Sequence, residues 1–137
     1  MSTADFRFPL RVYWEDTDAG GVVFYANYLK YFERARTEWL RSLGYAQQAL
    51  KTDDGLMFIV GETSVRYLRP ARLDDLLDVT VRRVAAGRAA MTISQQAWRI
   101  GAAGPELIAE GEIRIACVDA GTFKPRRIPT AILQATE

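Results

Sequence analysis

Residues 15–25 read EDTDAGGVVFY, which places Glu15, Asp16 and Asp18 ahead of Gly20, Gly21 and four bulky apolar residues. Carboxylates at this density are costly to bury unpaired, so the stretch must offer at least one of them to solvent or to a ligand. An ionised Asp can serve as a general base or as a nucleophile. The glycines carry no side chain that would hold a ligand away from the main chain. If a helix begins just after them, its first N–H groups lack intrahelical acceptors and carry the positive end of the helix dipole. A carbonyl held there would have its oxygen on backbone donors and its carbon facing an acid, an arrangement suited to acyl transfer or hydrolysis. The chain has no histidine. That removes the usual general base and every Ser-His or Cys-His device.

Two other uses of the same residues compete. An Asp near a helix start can simply cap it. DTDAGG also resembles the opening of a calcium loop, but counting from Asp16 the fifth position is Gly20 and the twelfth is Asn27, where a bidentate Glu is required. No helical pattern precedes the stretch either, so the calcium reading fails and no metal is expected. Eighteen Lys and Arg face 17 Asp and Glu, a net charge of +1 that argues against a nucleic-acid binder. The single Cys117 excludes an internal disulfide and a multi-cysteine zinc site, and on the apolar face of its strand it reads as an inert core residue. MSTADFRFPL is not a secretory signal, and no stretch approaches the roughly 18 apolar residues of a membrane span. A cytoplasmic location is the expectation.

The elements that must position this stretch follow from periodicity. FRFPLRVYWED reads as a first strand, with Pro9 at an edge or bulge. Tyr28, Leu29, Phe32, Ala35, Trp39, Leu40 and Leu43 recur at helical spacing, opposite Lys30, Glu33, Arg34, Thr37 and Arg41. The spacing predicts one long helix over Val23 to Leu43, closed by Gly44, and a short one over Ala46 to Lys51. Four strands follow, LMFIVGETSVRYL, LLDVTVRRVAA, AAMTISQQAWRI and ELIAEGEIRIACVD, separated by RPARLDD, Gly87 and GAAGP. Ala109, Gly111, Ile113, Ile115 and Cys117 share one face of the last. The tail GTFKPRRIPTAILQ is a loop with a helical turn. Short connections imply an antiparallel sheet, and one amphipathic helix beside it implies an α+β domain with the sheet curled around the helix. Trp14, Trp39 and Trp98 read as core or interface anchors, and Arg66, Arg69 and Arg72 as solubility or interface charges.

RVYWEDTDAGGVVFYANYLKYFERARTEWLRSLG resembles the hotdog-fold thioesterases of the 4-hydroxybenzoyl-CoA thioesterase type, most of all their YbgC-type, Tol-Pal-associated branch. RYLRPARLDD and CVDAGTFKPRRIP match that branch as well, so the similarity covers almost all of residues 1–137, expected to form a single hotdog domain. The resemblance implies a five-stranded antiparallel sheet wrapped around one long helix. It also implies hydrolysis of acyl-CoA without a cofactor, by a homo-oligomer, a dimer of dimers with sites between subunits. Its catalytic carboxylate falls on Asp18 and its oxyanion donor, a backbone N–H at the helix start, on Tyr25. Gly20 and Gly21 match the glycines that admit the thioester. Many YbgC-type members have His where this chain has Tyr25, whereas the aromatic-thioester branch has Tyr.

On that reading the thioester carbonyl is polarised by backbone N–H groups. Asp18 then attacks it directly or deprotonates a water, and the coenzyme A thiolate leaves with little acid assistance. Glu15 and Asp16 shape the loop or are simply solvated. Substrate binding falls to Lys124, Arg126 and Arg127 in the tail and to Arg88 at a strand turn, as partners of the nucleotide phosphates. Their alternative is ordinary exposed charge. Acyl-carrier protein is a second candidate donor, and a non-catalytic acyl-CoA or acyl-carrier-protein binding partner is the competing class. Hotdog hydratases need a His beside the acid, which this chain lacks.

Overall fold

The computed structural model describes residues 5–137. Five strands form one antiparallel sheet: β1 (Phe6–Arg11), β2 (Leu56–Tyr67), β3 (Leu76–Ala86), β4 (Ala90–Gly101) and β5 (Gly104–Asp119). Their order is β1-β3-β4-β5-β2. Helix α1 (Asn27–Ser42) lies against the sheet, followed by α2 (Gln47–Asp53), and α3 (Thr130–Ala135) closes the chain. The expected α+β architecture of a sheet around one long helix is met. No helix among the described residues is long and apolar enough to cross a membrane.

The 3.6-residue period of α1 buries Tyr28, Phe32, Ala35, Trp39 and Leu40, while alternate residues of β3, β4 and β5, such as Val79, Ile93 and Ile113, form the facing layer. Gly111 lets the two layers close. A Cβ there would lie 2.9 Å from the Ser64 carbonyl and 3.2 Å from the Phe32 ring. The sequence pattern did not separate out Arg36, which is buried on α1 and donates to Gln95 Oε1 at 2.8 Å. The Gln95 amide in turn donates to the Phe32 carbonyl at 3.0 Å, so a polar bridge joins helix to sheet. Desolvation foremost lowers the Arg36 pKa from its usual value. Trp39 is in the core, whereas Trp14 is 80% exposed.

Several boundaries differ from the periodic reading, among them the short helix, which spans Gln47–Asp53 and not Ala46 to Lys51. The first strand stops at Arg11, and Trp14–Asp16 form a 3-10 turn. The strand LLDVTVRRVAA runs as expected, but β2 stops at Tyr67, one residue short of the segment LMFIVGETSVRYL. The long helix starts at Asn27 and not Val23. Val22 and Val23 are instead held in extended form, Val22 bridging Arg72 and Val23 bridging Thr17, with the Val23 N–H donating to the Ala71 carbonyl at 2.8 Å, and Tyr25 and Ala26 form a turn ahead of the helix. β-branched residues give up little by leaving a helix for such pairing.

The two sheet edges are unlike. β1 has 6 residues and an exposed proline, Pro9, which cannot donate to a further strand. β2 has 12 residues, no proline, and exposed apolar side chains at Ile59, Val60 and Tyr67.

Candidate active site

The stretch from Tyr13 to Tyr28 folds back on itself and spends most of its own donors. The Asp18 N–H donates to the Val22 carbonyl at 2.9 Å, Gly21 to the Asp18 carbonyl at 3.0 Å, and Phe24 to the Asp16 carbonyl at 2.9 Å. Asn27 Nδ2 donates to that same Asp16 carbonyl at 2.8 Å, tying the acidic loop to the helix start. The Asp16 carboxylate accepts the Tyr13 N–H at 2.8 Å, so this acid shapes the loop. Below it the Tyr31 hydroxyl is buried. Burial, then the neighbouring Asp16 carboxylate, raises its pKa well above the usual phenol range. Glu15 is exposed.

Asp18 is exposed as well, and its carboxylate accepts one N–H, from Gly20, at 2.8 Å. A Cβ on Gly20 would come within 3.2 Å of Asp18 Oδ1, so only glycine lets the loop close on the acid without displacing it. Gly21 has φ +77° and open space on its Cβ side, a conformation that disfavours any side chain. The two glycines therefore do different things: the first accommodates the acid, the second turns the chain.

The resemblance places the oxyanion donor on the backbone N–H of Tyr25, at the start of the helix. Gly21, Val23 and Phe24 have internal acceptors, while the N–H groups of Val22, Tyr25 and Ala26 have none among the described residues. The last two lie in the turn closed by Asn27 N–H donating to the Phe24 carbonyl at 2.8 Å, directly ahead of the positive end of α1. An exposed carboxylate and the two unpaired donors of that turn thus share one short loop. Beside it, Val23, Tyr25, Tyr28, Tyr67, Leu68 and Pro70 help line an open groove of about 260 Å³. The Tyr25 and Tyr67 rings meet edge to face at 6.1 Å, and Tyr28 and Tyr67 are tilted at 5.5 Å. Tyr67 lies 42 residues from Tyr25 and escaped the sequence reading, because no local pattern signals it.

The basic residues are brought together with one another but not with the acid. The Arg126 N–H donates to the Cys117 carbonyl at 2.9 Å, Asp119 to Lys124 at 2.9 Å, and Ile128 to Arg88 at 2.8 Å. Arg88, Lys124, Arg126 and Arg127 therefore gather where β5 ends. Arg88, Lys124 and Arg127 are exposed and make no ion pair among the described residues. Arg126 is partly committed: Nη1 donates to the Asp54 carbonyl at 2.7 Å and fixes the turn into β2. Leu56 of β2 pairs with Asp119, while Tyr67 pairs with Ala109. The 12 residues between these ends span about 36 Å at roughly 3.3 Å each. Asp18 and Tyr25 lie at the Tyr67 end, so within one chain the acid and the basic tail occupy opposite ends of the sheet. No group of three or more His, Cys, Asp or Glu among the described residues is placed to hold a metal.

A family model described as the thioesterase-like superfamily matches residues 12–136. The chain is 43% identical over 133 residues to a protein of Escherichia coli named acyl-CoA thioester hydrolase YbgC, covering 97% of this chain and 96% of that one. A crystal structure of a probable thioesterase from Bartonella henselae superposes with a TM-score of 0.85 at 34% identity, over 92% of this chain and 100% of that one. The fold is also that of a 4-hydroxybenzoyl CoA thioesterase mutant complexed with 4-hydroxybenzoyl CoA, with a TM-score of 0.89 at 15% identity over 97% of this chain and 99% of that one.

Proposed function

This chain belongs to the thioesterase-like superfamily, and from that premise we propose that it hydrolyses acyl-CoA thioesters to the free acid and coenzyme A. The observation that carries this is the pairing, in one loop, of an exposed Asp18 with the unpaired Tyr25 N–H. The thioester oxygen accepts that N–H, which stabilises the negative charge that grows on it as the carbonyl carbon is attacked. One such donor is worth about 2.7–4 kcal/mol. Asp18 supplies the other half, as base toward a water or as nucleophile. In the first case the water oxygen bonds to the carbon, its proton passes to Asp18, and the C–S bond breaks with the electron pair leaving on sulfur. In the second a mixed anhydride forms first and water then cleaves it. A thiolate is stable enough to leave without a proton donor, so a site lacking histidine suffices.

The distance between the acid and the basic tail gives the reading its assembly. An isologous pair of chains joined along β2 would run the two copies antiparallel. The Leu56 end of one copy then meets the Tyr67 end of the other. Lys124, Arg127 and Arg88 of one copy would lie beside Asp18 and Tyr25 of its partner and hold the phosphates of the bound coenzyme. The unpaired, proline-free, apolar edge of β2 supports this pairing. Acyl-carrier protein, whose phosphopantetheine arm presents the same thioester, is a second donor on this reading, and the location is cytoplasmic.

Thiol release from a panel of short, long and aromatic acyl-CoAs, and from an acyl-carrier protein thioester, tests the activity. Turnover on at least one donor is expected. Tight binding of acyl-CoA with no thiol release from any would leave a binding protein on a thioesterase fold.

A further inference from the structure

The Tyr25 carbonyl sits two residues ahead of α1, yet no helical N–H among the described residues takes it. Asn27 donates to Phe24 at 2.8 Å and Leu29 to Ala26 at 3.1 Å. Its partner among the described residues is the Tyr67 hydroxyl, at 3.0 Å, reaching across from the end of β2. Burial foremost, then the neighbouring Tyr25, raises the Tyr67 pKa, so the phenol keeps its proton and donates.

The consequence follows from the amide group. A trans peptide is planar, with its C=O and N–H pointing in opposite directions. Holding the Tyr25 carbonyl therefore fixes the direction of the Ala26 N–H, which belongs to the same peptide. The preceding peptide is fixed in the same manner: the Phe24 carbonyl accepts from Asn27, and this directs the Tyr25 N–H away from that bond. Each unpaired donor is thus oriented by what its own peptide's carbonyl is doing, one by the local turn and the other by a side chain from a distant strand. Ala26 has helical dihedrals, φ −71° and ψ −18°, so its N–H points out of the helix start along the axis.

Building on the hydrolytic reading above, we infer that Tyr67 is a positioning residue of the active site, whose hydroxyl orients the Tyr25–Ala26 peptide so that the Ala26 N–H joins the Tyr25 N–H as a second donor to the thioester oxygen. Tyr67 touches neither the thioester nor the attacking group. It acts through the main chain, and its ring packing against Tyr25 and Tyr28 holds the hydroxyl in place.

Tyr67→Phe keeps that packing and removes only the hydroxyl. On the acyl-CoA that the wild type hydrolyses fastest, kcat is expected to fall roughly 10- to 100-fold, short of the 10²–10³ lost when an oxyanion donor is deleted outright, while KM stays within about twofold. The melting temperature should stay near wild type. A second readout separates positioning from structure. In the Asp18→Asn background, with ¹³C at the thioester carbonyl of the same acyl-CoA, the infrared stretch of the bound carbonyl should be shifted to lower frequency, and adding Tyr67→Phe should reverse part of that shift. Wild-type kcat together with an unmoved carbonyl band in Tyr67→Phe would overturn the inference while leaving the thioesterase reading intact. A wild-type protein that releases no thiol from any donor overturns that reading first.

Discussion

The two ends of the sheet are built by opposite means. At the Tyr67 end the site is almost wholly main chain and local: residues 13–28 bond to one another, and the unpaired donors are what remains when the others have found acceptors. At the Leu56 end the charged groups are side chains on a tail, gathered by its own turn and by bonds to Arg88 and Asp54 far away in sequence. The first end offers the exposed Asp18 carboxylate on a loop that its own backbone defines. The second has several exposed cations on a surface that would tolerate their loss. Chemistry that depends on angle needs the first kind of construction, because peptide planes cannot wander. Attraction to a phosphate depends mainly on distance and accepts the second. On the proposed reading a single chain carries two halves of a site, one precise and one loose, which do not meet.

The largest effect should fall at the precise end. Asp18→Asn keeps the shape and the Gly20 contact's acceptor oxygen while removing the base or nucleophile. A kcat loss of about 10²–10⁴ is expected, with the melting temperature near wild type and substrate binding retained, since the Tyr25 and Ala26 donors are backbone groups. If Asp18 only capped the helix start, the outcome would invert: stability would drop by about 1 kcal/mol and the folded molecules would turn over normally. Thermal melts and single-turnover rates on one preparation distinguish the two.

The joining of the halves can be broken directly. Val60 is 50% exposed on the β2 edge, so Val60→Lys costs a lone chain little but puts a charge into a paired edge. Dissociation to monomers by sedimentation is expected, with loss of most acyl-CoA turnover at substrate levels that saturate the wild type. A sharper version mixes two defective proteins after reversible unfolding, Asp18→Asn and the double variant Lys124→Ala/Arg127→Ala. If acid and cations act across a two-fold pair, each mixed dimer has one intact site, and about a quarter of all sites recover under random pairing. If they act within one chain, mixing restores nothing.

Taken alone, Lys124→Ala/Arg127→Ala should raise KM for acyl-CoA roughly tenfold with kcat little changed, as expected when uniform binding is lost. The matching acyl-pantetheine, which lacks the nucleotide, should show no such rise. Arg126 belongs apart from these two. Its guanidinium bonds the Asp54 carbonyl, so Arg126→Ala should also cost about 1 kcal/mol of stability for that lost bond.

Much of this was legible in the residues. The helix over Tyr28 to Leu40 and a strand such as β4 followed from period, because their burial is one-sided, whereas β2 is mostly exposed and was marked instead by its β-branched and aromatic residues between turns. Asp18, Gly20 and Gly21 stood out because acids and glycines are grouped within a few positions. The helix start was misplaced because Val22, Val23 and Phe24 are apolar in either state, and what holds the first two extended, Arg72 and Ala71, lies about fifty residues away. Tyr67 was invisible for the same reason. The separation of acid from tail was equally hidden, since position along the chain says nothing about which end of a strand a loop joins.

The smallest effect tests how loosely the basic end is held. The Asp119 carboxylate accepts the Gly121 N–H and the Thr122 N–H, both at 2.9 Å, and the Thr122 hydroxyl at 3.2 Å. The backbone bond from Thr122 foremost, then that from Gly121, holds its pKa below the usual Asp value. A carboxyl with a depressed folded pKa stabilises its turn above the unfolded pKa, and that contribution fades as pH falls through the folded value. The turn from Asp119 to Lys124 should therefore open before the sheet does as pH falls below the ordinary Asp range. Amide exchange at Gly121 and Thr122 ought to rise relative to Cys117 as pH drops below the ordinary Asp range, after correction for intrinsic rates. Asp119→Asn should flatten that pH dependence, whereas Asp18→Asn should leave it untouched. Equal loosening of both ends in acid would mean that the tail is held by the sheet as a whole and not by its own turn.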